Sequence, residues 1–533
     1  MNPAKIKYLP FILFILLSCS LSTLKAAKNT QITYTISFPE AKAHYAEIEM
    51  DIAGLNQPQL VLKMPVWAPG SYLTQEYAKN VESITAASDS KLLSVIKTRK
   101  NIWNVNTAGI SSLKIRYRIY TFEQTAENSF IDYSHAYLSA PGIFLYSAGM
   151  LHQSSVIHIK PYKNWTRIST SLNPVKDDPF TLYAPDYDIL FDSPIEIGNH
   201  DIFTFNTNGI RHEMAMYGGG KCDKERITKE LTKIISAESD IFGENPNKRY
   251  VFIIHHTDRE AGSAEHLNSS VIQIPGRVYA DGTDYHRFLS GLSQEYFQLW
   301  NGKRLMPASL MSLAYDREIN STELWLADGI SHYYQNLIMQ RAALYPTANY
   351  LENIAGEFTR LMNNPEGTDE YQINANADVW EKFYRHKGNY EGDRTISAIR
   401  GSVIALMLDL EIIKYSEGQR NLDDVMRYMY VTYYKQLKRG YTSKEFKAAL
   451  EVFTGQNLND FYKKYVTGMA DMDPNQYLNY AGYKLSDRKE SVDNESATLL
   501  AAPGNGRIRY AIEDLSPRLS ASQLLVRKKW LSL

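Results

Sequence analysis

The sequence predicts a multidomain α+β protein: an N-terminal antiparallel, β-sandwich-like domain followed by a mainly helical lobe built on a small sheet. Three observations predict this. Ile32-Thr-Tyr-Thr-Ile-Ser-Phe38, Ala46-Glu-Ile-Glu-Met-Asp-Ile52 and Leu113-Lys-Ile-Arg-Tyr-Arg-Ile-Tyr-Thr-Phe122 alternate apolar with polar residues, the period of half-buried strands. Pro and Gly punctuate that region, and no long amphipathic helix interrupts it before residue 205. At Tyr217-Gly-Gly-Gly220 the texture changes, and helical spacing takes over.

A chain of 533 residues has room for several domains with real cores. Its 58 basic and 59 acidic residues nearly cancel, so nothing points to nucleic acid as a partner. Residues 1–27 read as an export signal, with Lys5 and Lys7 ahead of an apolar run from Leu9 to Leu17 that is too short to span a bilayer. Leu16-Leu17-Ser18-Cys19 resembles a bacterial lipobox, which would leave Cys19 lipidated. Cleavage near Ala26 or Ala27 is the competing route. Either way the protein is expected outside the cytoplasm, periplasmic or anchored to the membrane by lipid. With only Cys19 and Cys222 in the chain, no disulfide framework can form.

Residues 31–205 form the predicted β domain. Within it, Met64-Pro-Val-Trp-Ala-Pro-Gly-Ser-Tyr72 sets two prolines and a glycine around a tryptophan, a rigid corner or one wall of a cleft. Residues 206–480 form the second domain. Asp223 to Phe242 has helical spacing, and Arg249-Tyr-Val-Phe-Ile-Ile-His-His256 and Val271-Ile-Gln-Ile274 read as buried strands. Asn421, Thr442 and Asn457 each precede an acidic residue three places on, the mark of a helix start. A small sheet leading into a helical lobe is a thermolysin-like organisation.

The chemistry centres on Ser293-Gln-Glu-Tyr-Phe-Gln-Leu-Trp-Asn-Gly-Lys-Arg-Leu-Met-Pro307. Its spacing is that of the H-E-x-x-H zinc helix, in which two histidines one turn apart bind zinc and the Glu activates a metal-bound water. Here Gln294 and Gln298 stand at both histidine positions, around Glu295. Together with Met64 to Tyr72, Ala264-Glu-His-Leu-Asn-Ser-Ser270 and Glu323-Leu-Trp-Leu-Ala-Asp-Gly-Ile-Ser-His-Tyr-Tyr334, this stretch resembles the glycyl aminopeptidase family of bacterial zinc metallopeptidases. The resemblance covers roughly residues 31–480. It implies an N-terminal β domain, a thermolysin-like catalytic domain and, usually, a C-terminal PDZ domain.

Transferred residue by residue, the resemblance puts Glu295 at the general-base position and Asp328 where the family has its third zinc ligand, a Glu. Ser397-Ala-Ile-Arg-Gly401 lacks a tyrosine that the family tends to carry for transition-state stabilisation. Glu265, beside His266, matches the family and is the candidate for binding a substrate amino terminus. Imidazole and carboxylate ligands hold zinc at about 2.0–2.2 Å. A neutral glutamine amide donates far less charge density. The Asp328 carboxylate is withdrawn by on the order of 1.5 Å relative to Glu, against a tolerance of about 0.2 Å. No zinc or other cofactor is therefore expected. The leading reading is a catalytically impaired pseudo-peptidase that keeps a peptide-binding cleft, its partner a peptide or protein engaged through a free amino terminus. The alternatives are an active metallo-aminopeptidase with an unusual ligand set, drawing on His255, His256, His266 or His286, and a non-catalytic assembly protein of the cell surface. A Glu295, Glu265 and Asp328 cluster working as in glycosidases is the weakest option.

Residues 481–533 are too few for a PDZ domain, although Arg507-Ile-Arg-Tyr-Ala-Ile-Glu-Asp-Leu-Ser-Pro517 faintly resembles the start of one. This tail is expected to be poorly ordered or loosely docked.

Overall fold

The computed structural model describes residues 30–532 apart from 70–73, 90, 220–221, 259–261, 281, 312–313, 318–320, 364–389, 469–471 and 489–507. The signal segment, Cys19, and Gly70 to Tyr72 of the proline-rich corner lie outside the described residues.

The first domain is the β-rich unit that the alternating pattern predicts. Its main sheet has eight strands. Gln31–Ser37, Tyr45–Ala53 and Ser112–Tyr120 lie adjacent at its centre, within a residue or so of where alternation placed them. The sheet is not wholly antiparallel: Gln31–Ser37 pairs antiparallel with Tyr45–Ala53 but parallel with Ser155–Lys160. A four-stranded sheet that includes β1 (Ala136–Leu138) and β2 (Ile195–Gly198), and a three-stranded one, pack around the same core. The described part of the proline-rich corner is structural. Trp67 is 7% exposed, stacks on Tyr315 of the second domain and donates from Nε1 to the Ala314 carbonyl at 3.2 Å. Lys63 beside it pairs with Asp316 at 2.6 Å.

The second domain opens on a five-stranded sheet ordered β3-β4-β5-β7-β6: β3 (Asp201–Thr207), β4 (Ile210–Tyr217), β5 (Arg249–Thr257), β6 (Ser263–Glu265) and β7 (Ser269–Pro275). Asp201–Thr207 thus joins the second sheet, by pairing with β4, rather than closing the first domain. The edge strand β6 faces the helices. Asp223 caps α1 (Lys224–Phe242) by accepting from the Arg226 N–H at 2.9 Å. Helix α2 (Gly282–Phe297) carries Gln294 and Glu295. After it come a π-helical turn, Trp325–Gly329, leading directly into α3 (Ile330–Arg341), then α4 (Thr347–Met362) and α5 (Tyr390–Tyr415). Thr442 forms the expected capping box with Glu445, and Asn421 one with Asp424. Asn457 instead accepts from the Asn459 N–H, and the short helix there starts at Asn459.

The turn bearing Asp328 is fixed by backbone contact. A Cβ placed on Gly329 would sit 2.5 Å from the Gly401 Cα, and one on Gly401 would sit 2.7 Å from the Gly329 Cα. Only two glycines let the π-helical turn and α5 approach this closely, and both contacts are with backbone, which cannot rotate away. Gly401→Ala should cost about 1–3 kcal/mol, the usual range for overpacking, read as a lower urea midpoint at unchanged m-value.

The C-terminal segment packs firmly rather than loosely. Tyr483–Arg488 pairs antiparallel with Arg509–Asp514. Helix α6 (Ala521–Leu531) then inserts Trp530, fully buried, beside Tyr350 of α4, with its Nε1 donating to the Tyr333 hydroxyl at 3.1 Å. Arg527 locks this segment by donating to the Ala481 and Gly482 carbonyls and to Asp514.

Candidate active-site cleft

The cleft lies between the edge strand β6 and helix α2. Side chains alternate along a strand, so Ser263 and Glu265 share one face while Ala264 turns to the apolar side of the sheet. Ser263 Oγ donates to Glu295 Oε1 at 2.8 Å, which ties strand to helix and places Glu265 and Glu295 on the same cleft. Both carboxylates are nearly buried, at 5% and 4% exposure.

Motif residues around these two brace the site. Asn301 Nδ2 donates to the Leu326 and Ala327 carbonyls, each at 3.0 Å, and to Ser331 Oγ at 3.1 Å, so the end of α2 holds the turn that carries Asp328. Trp300, fully buried, donates from Nε1 to the Glu244 carbonyl at 3.2 Å. Arg304 donates to the Leu267 carbonyl and to Asn247, clamping the loop that follows Glu265.

Behind Glu265 sits a charged network that crosses the domain boundary. Asp192, just after the short helix Tyr187–Phe191, accepts from Lys303 Nζ at 3.0 Å and from the Leu267 N–H at 2.7 Å, and lies 3.1 Å from His266 Nδ1. Burial alone would raise the Asp192 pKa, but Lys303 and His266 outweigh it and hold the carboxyl down at about 2. Burial likewise works against the Lys303 ammonium, yet Asp192 and then Glu265 keep its pKa above the ordinary lysine value. His266 is thereby a positioning residue, engaged with Asp192 beneath the cleft. The sign of the pH effect follows. The folded carboxyl binds its proton less readily than the unfolded one, so its contribution is complete above about pH 4 and is lost as pH falls through about 2, amounting to about 2–3 kcal/mol. Acid unfolding followed by circular dichroism should show this loss, and Asp192→Asn should abolish that part of the slope.

The three ligand positions do not converge on a zinc-type donor set. Gln298 is 3% exposed, and its Oε1 is buried without a hydrogen-bond partner among the described residues. Gln294 presents Oε1 to His332 Nδ1 at 3.4 Å. Asp328 is half-buried in its π-helical turn. Two neutral amide oxygens and one carboxylate suit hard, oxygen-seeking cations rather than zinc, which is held best by imidazole or thiolate. The residues present therefore do not fit zinc at this position.

The histidines named as substitute ligands are engaged elsewhere. His255 contacts Glu196, His256 contacts the Tyr217 carbonyl and the Tyr279 hydroxyl, His266 contacts Asp192, and His286 lies edge-on to Tyr345. The histidine at the site is His332. Its Nε2 lies 3.2 Å from Glu357, which in turn accepts from Asn336 at 3.0 Å and from Ser402 at 3.0 Å. One sequence signal points to it: His332 follows Asp328 by four residues, one helical turn, and so shares its face. The two flanking aromatics are packing residues, Tyr333 donating to Asp409 at 2.5 Å and Tyr334 to Asp423 at 2.8 Å.

A β domain joined to a sheet-and-helix lobe, with the cleft between edge strand and degenerate zinc helix, defines the aminopeptidase class of architecture. The solved structures agree. The chain superposes on an aminopeptidase N family protein from Idiomarina loihiensis with a TM-score of 0.81 at 24% identity, covering 87% of this chain and 80% of that one. It is similar, at a TM-score of 0.53 and 12% identity, to an M1 zinc metallopeptidase from Deinococcus radiodurans, with 83% and 94% covered. Yeast LTA4 hydrolase in complex with bestatin gives 0.53 at 12%, with 85% and 70% covered. At these identities the likeness is one of fold. Residues 33–199 match the peptidase M61 N-terminal domain, and residues 287–399 match the M61 glycyl aminopeptidase domain. The chain belongs to the M61 glycyl aminopeptidase family. No curated protein matches it.

Proposed function

We propose that this chain is an exported M61 relative that binds peptides through their amino termini without zinc-dependent hydrolysis. The observation that carries the reading is the combination at one cleft. Glu265 and Glu295 remain on facing elements, linked by Ser263, while the amides of Gln294 and Gln298 replace the imidazoles. Glu265 supplies a negative charge in a nearly dry setting, where an ammonium gains most from it. Without a Lewis acid, Glu295 has no acidified water to deprotonate. It remains a fixed acceptor for Ser263 and for a bound peptide.

Among the described residues no helix is long and apolar enough to cross a membrane. Lipid on Cys19 is the proposed attachment. A second reading, an active enzyme with an altered ligand set, is favoured by one observation: His332, backed by Glu357, lies within 3.4 Å of Gln294.

Titration calorimetry with peptides that begin in glycine or alanine tests the main reading. Glu265→Gln should weaken binding about 10–100-fold, the value of a charge-assisted hydrogen bond. Acetylating the peptide amino terminus should have a similar effect. Binding indifferent to both changes, or no binding at all, would sink this reading. Zinc that is lost on His332→Ala, accompanied by peptide hydrolysis, would establish the second.

A further inference from the structure

Away from the cleft, three buried side chains meet across the boundary between the domains. His135, the residue just ahead of β1, and Glu196 on β2 come from the first domain, and His255 on β5 comes from the second. The carboxylate spans the two rings: Glu196 Oε1 lies 2.8 Å from His135 Nδ1, and Oε2 lies 2.9 Å from His255 Nε2. One donor atom from each residue lies within 4.8 Å of the others, and no other group of three such residues occurs among the described residues. Their exposures are 1%, 0% and 1%.

We propose that His135, Glu196 and His255 hold a divalent ion of the zinc class, a structural metal that pins the N-terminal domain to the sheet bearing Glu265. This ion is distinct from the substituted ligand positions of the cleft.

Two arguments support the assignment. The first is donor chemistry: two imidazoles and one carboxylate are a set that zinc and related ions favour. The second is spacing. Donors about 2.1 Å from a tetrahedral ion stand about 3.4 Å apart, so the contacts of 2.8 and 2.9 Å must open by roughly half an ångström to admit one.

His135 Nε2 is buried with no hydrogen-bond partner among the described residues, and with Nδ1 as the donor to an ion the ring carries its proton there. The ring is also stacked under Tyr217, with centroids 3.4 Å apart. Gln273 faces His255 Nδ1 at 3.4 Å, and its own Oε1 is buried with no partner among the described residues. Turning that amide end for end lets Oε1 accept from the Nδ1–H and leaves the Nε2 lone pair directed at the carboxylate. The His255 ring then presents its lone pair to the Glu196 carboxylate, where the proposed ion sits. Full burial implies that the ion enters as the domains fold together.

The test is metal analysis of the full chain, purified after growth with zinc, manganese and cobalt supplied. About one metal per chain is expected, absent from Glu196→Gln and from a His135→Ala/His255→Ala double variant. X-ray absorption on the unmodified chain should show two imidazoles and a carboxylate without sulfur, a readout that does not depend on the variants folding. Phenanthroline should lower the melting temperature of the wild type by several degrees. Metal-free protein from all three supplements would overturn the proposal. So would metal retained by both triad variants, and its further loss on His332→Ala would place it in the cleft.

Discussion

Introducing Gln294→His, Gln298→His and Asp328→Glu together should create a zinc site in the cleft and bring with it slow hydrolysis of amino-terminal glycine or alanine amides. The basis is that everything around these positions is already in place. Asn301 holds the Asp328 turn through two carbonyls and Ser331, Ser263 orients Glu295, and Glu265 stands on the same strand face as Ser263. The restored rate should nevertheless fall about 10²–10³-fold short of a complete enzyme, the usual cost of one missing transition-state donor. The reason is that Ser397-Ala-Ile-Arg-Gly401 offers no tyrosine. Zinc content and turnover measured together decide the matter. Additional zinc without hydrolysis would mean that more than the ligands has been lost, and no additional zinc would mean that the scaffold has shifted.

The second large effect concerns stability. Lys303→Met should destabilise the fold by about 3–5 kcal/mol, because it strands the buried Asp192 carboxylate without its ammonium. Lys303 and Asp192 have side-chain exposures of only 10% and 15%, and their 3.0 Å contact joins the turn that follows helix α2 to the first domain. Lys303→Met with Asp192→Asn should recover most of the loss, since the charge left behind is the penalty. Chemical denaturation of the single and double variants measures this directly. Equal losses in both would show that Lys303 acts through packing alone.

These two networks mark where sequence reasoning reaches and where it stops. Strands such as Gln31–Ser37 and Ser112–Tyr120 were legible because alternation is a local property. So were the caps at Asn421 and Thr442, whose partners lie three residues away. The Gln294, Glu295 and Gln298 spacing was legible for the same reason, and Glu265 through its motif. The parallel pairing of Gln31–Ser37 with Ser155–Lys160 was not, because nothing local encodes a partner more than a hundred residues distant. Lys303 with Asp192, His332 with Glu357, and Glu196 with its two histidines were hidden likewise. Each pair is brought together only when separate elements pack. The C-terminal helix was misjudged because its apolar face was weighed without the pocket beside Tyr350 that receives Trp530.

The contact between Gly329 and Gly401 bears on how this protein can change over generations. With backbone against backbone, the turn carrying Asp328 cannot slide toward the cleft to make up for a short side chain. A zinc-type ligand set in this cleft must therefore be made by the side chains themselves. Glutamine to histidine and aspartate to glutamate are each single-base steps in the genetic code. The lineage thus sits a short mutational distance from a ligand-complete site, on a scaffold that leaves it few other routes.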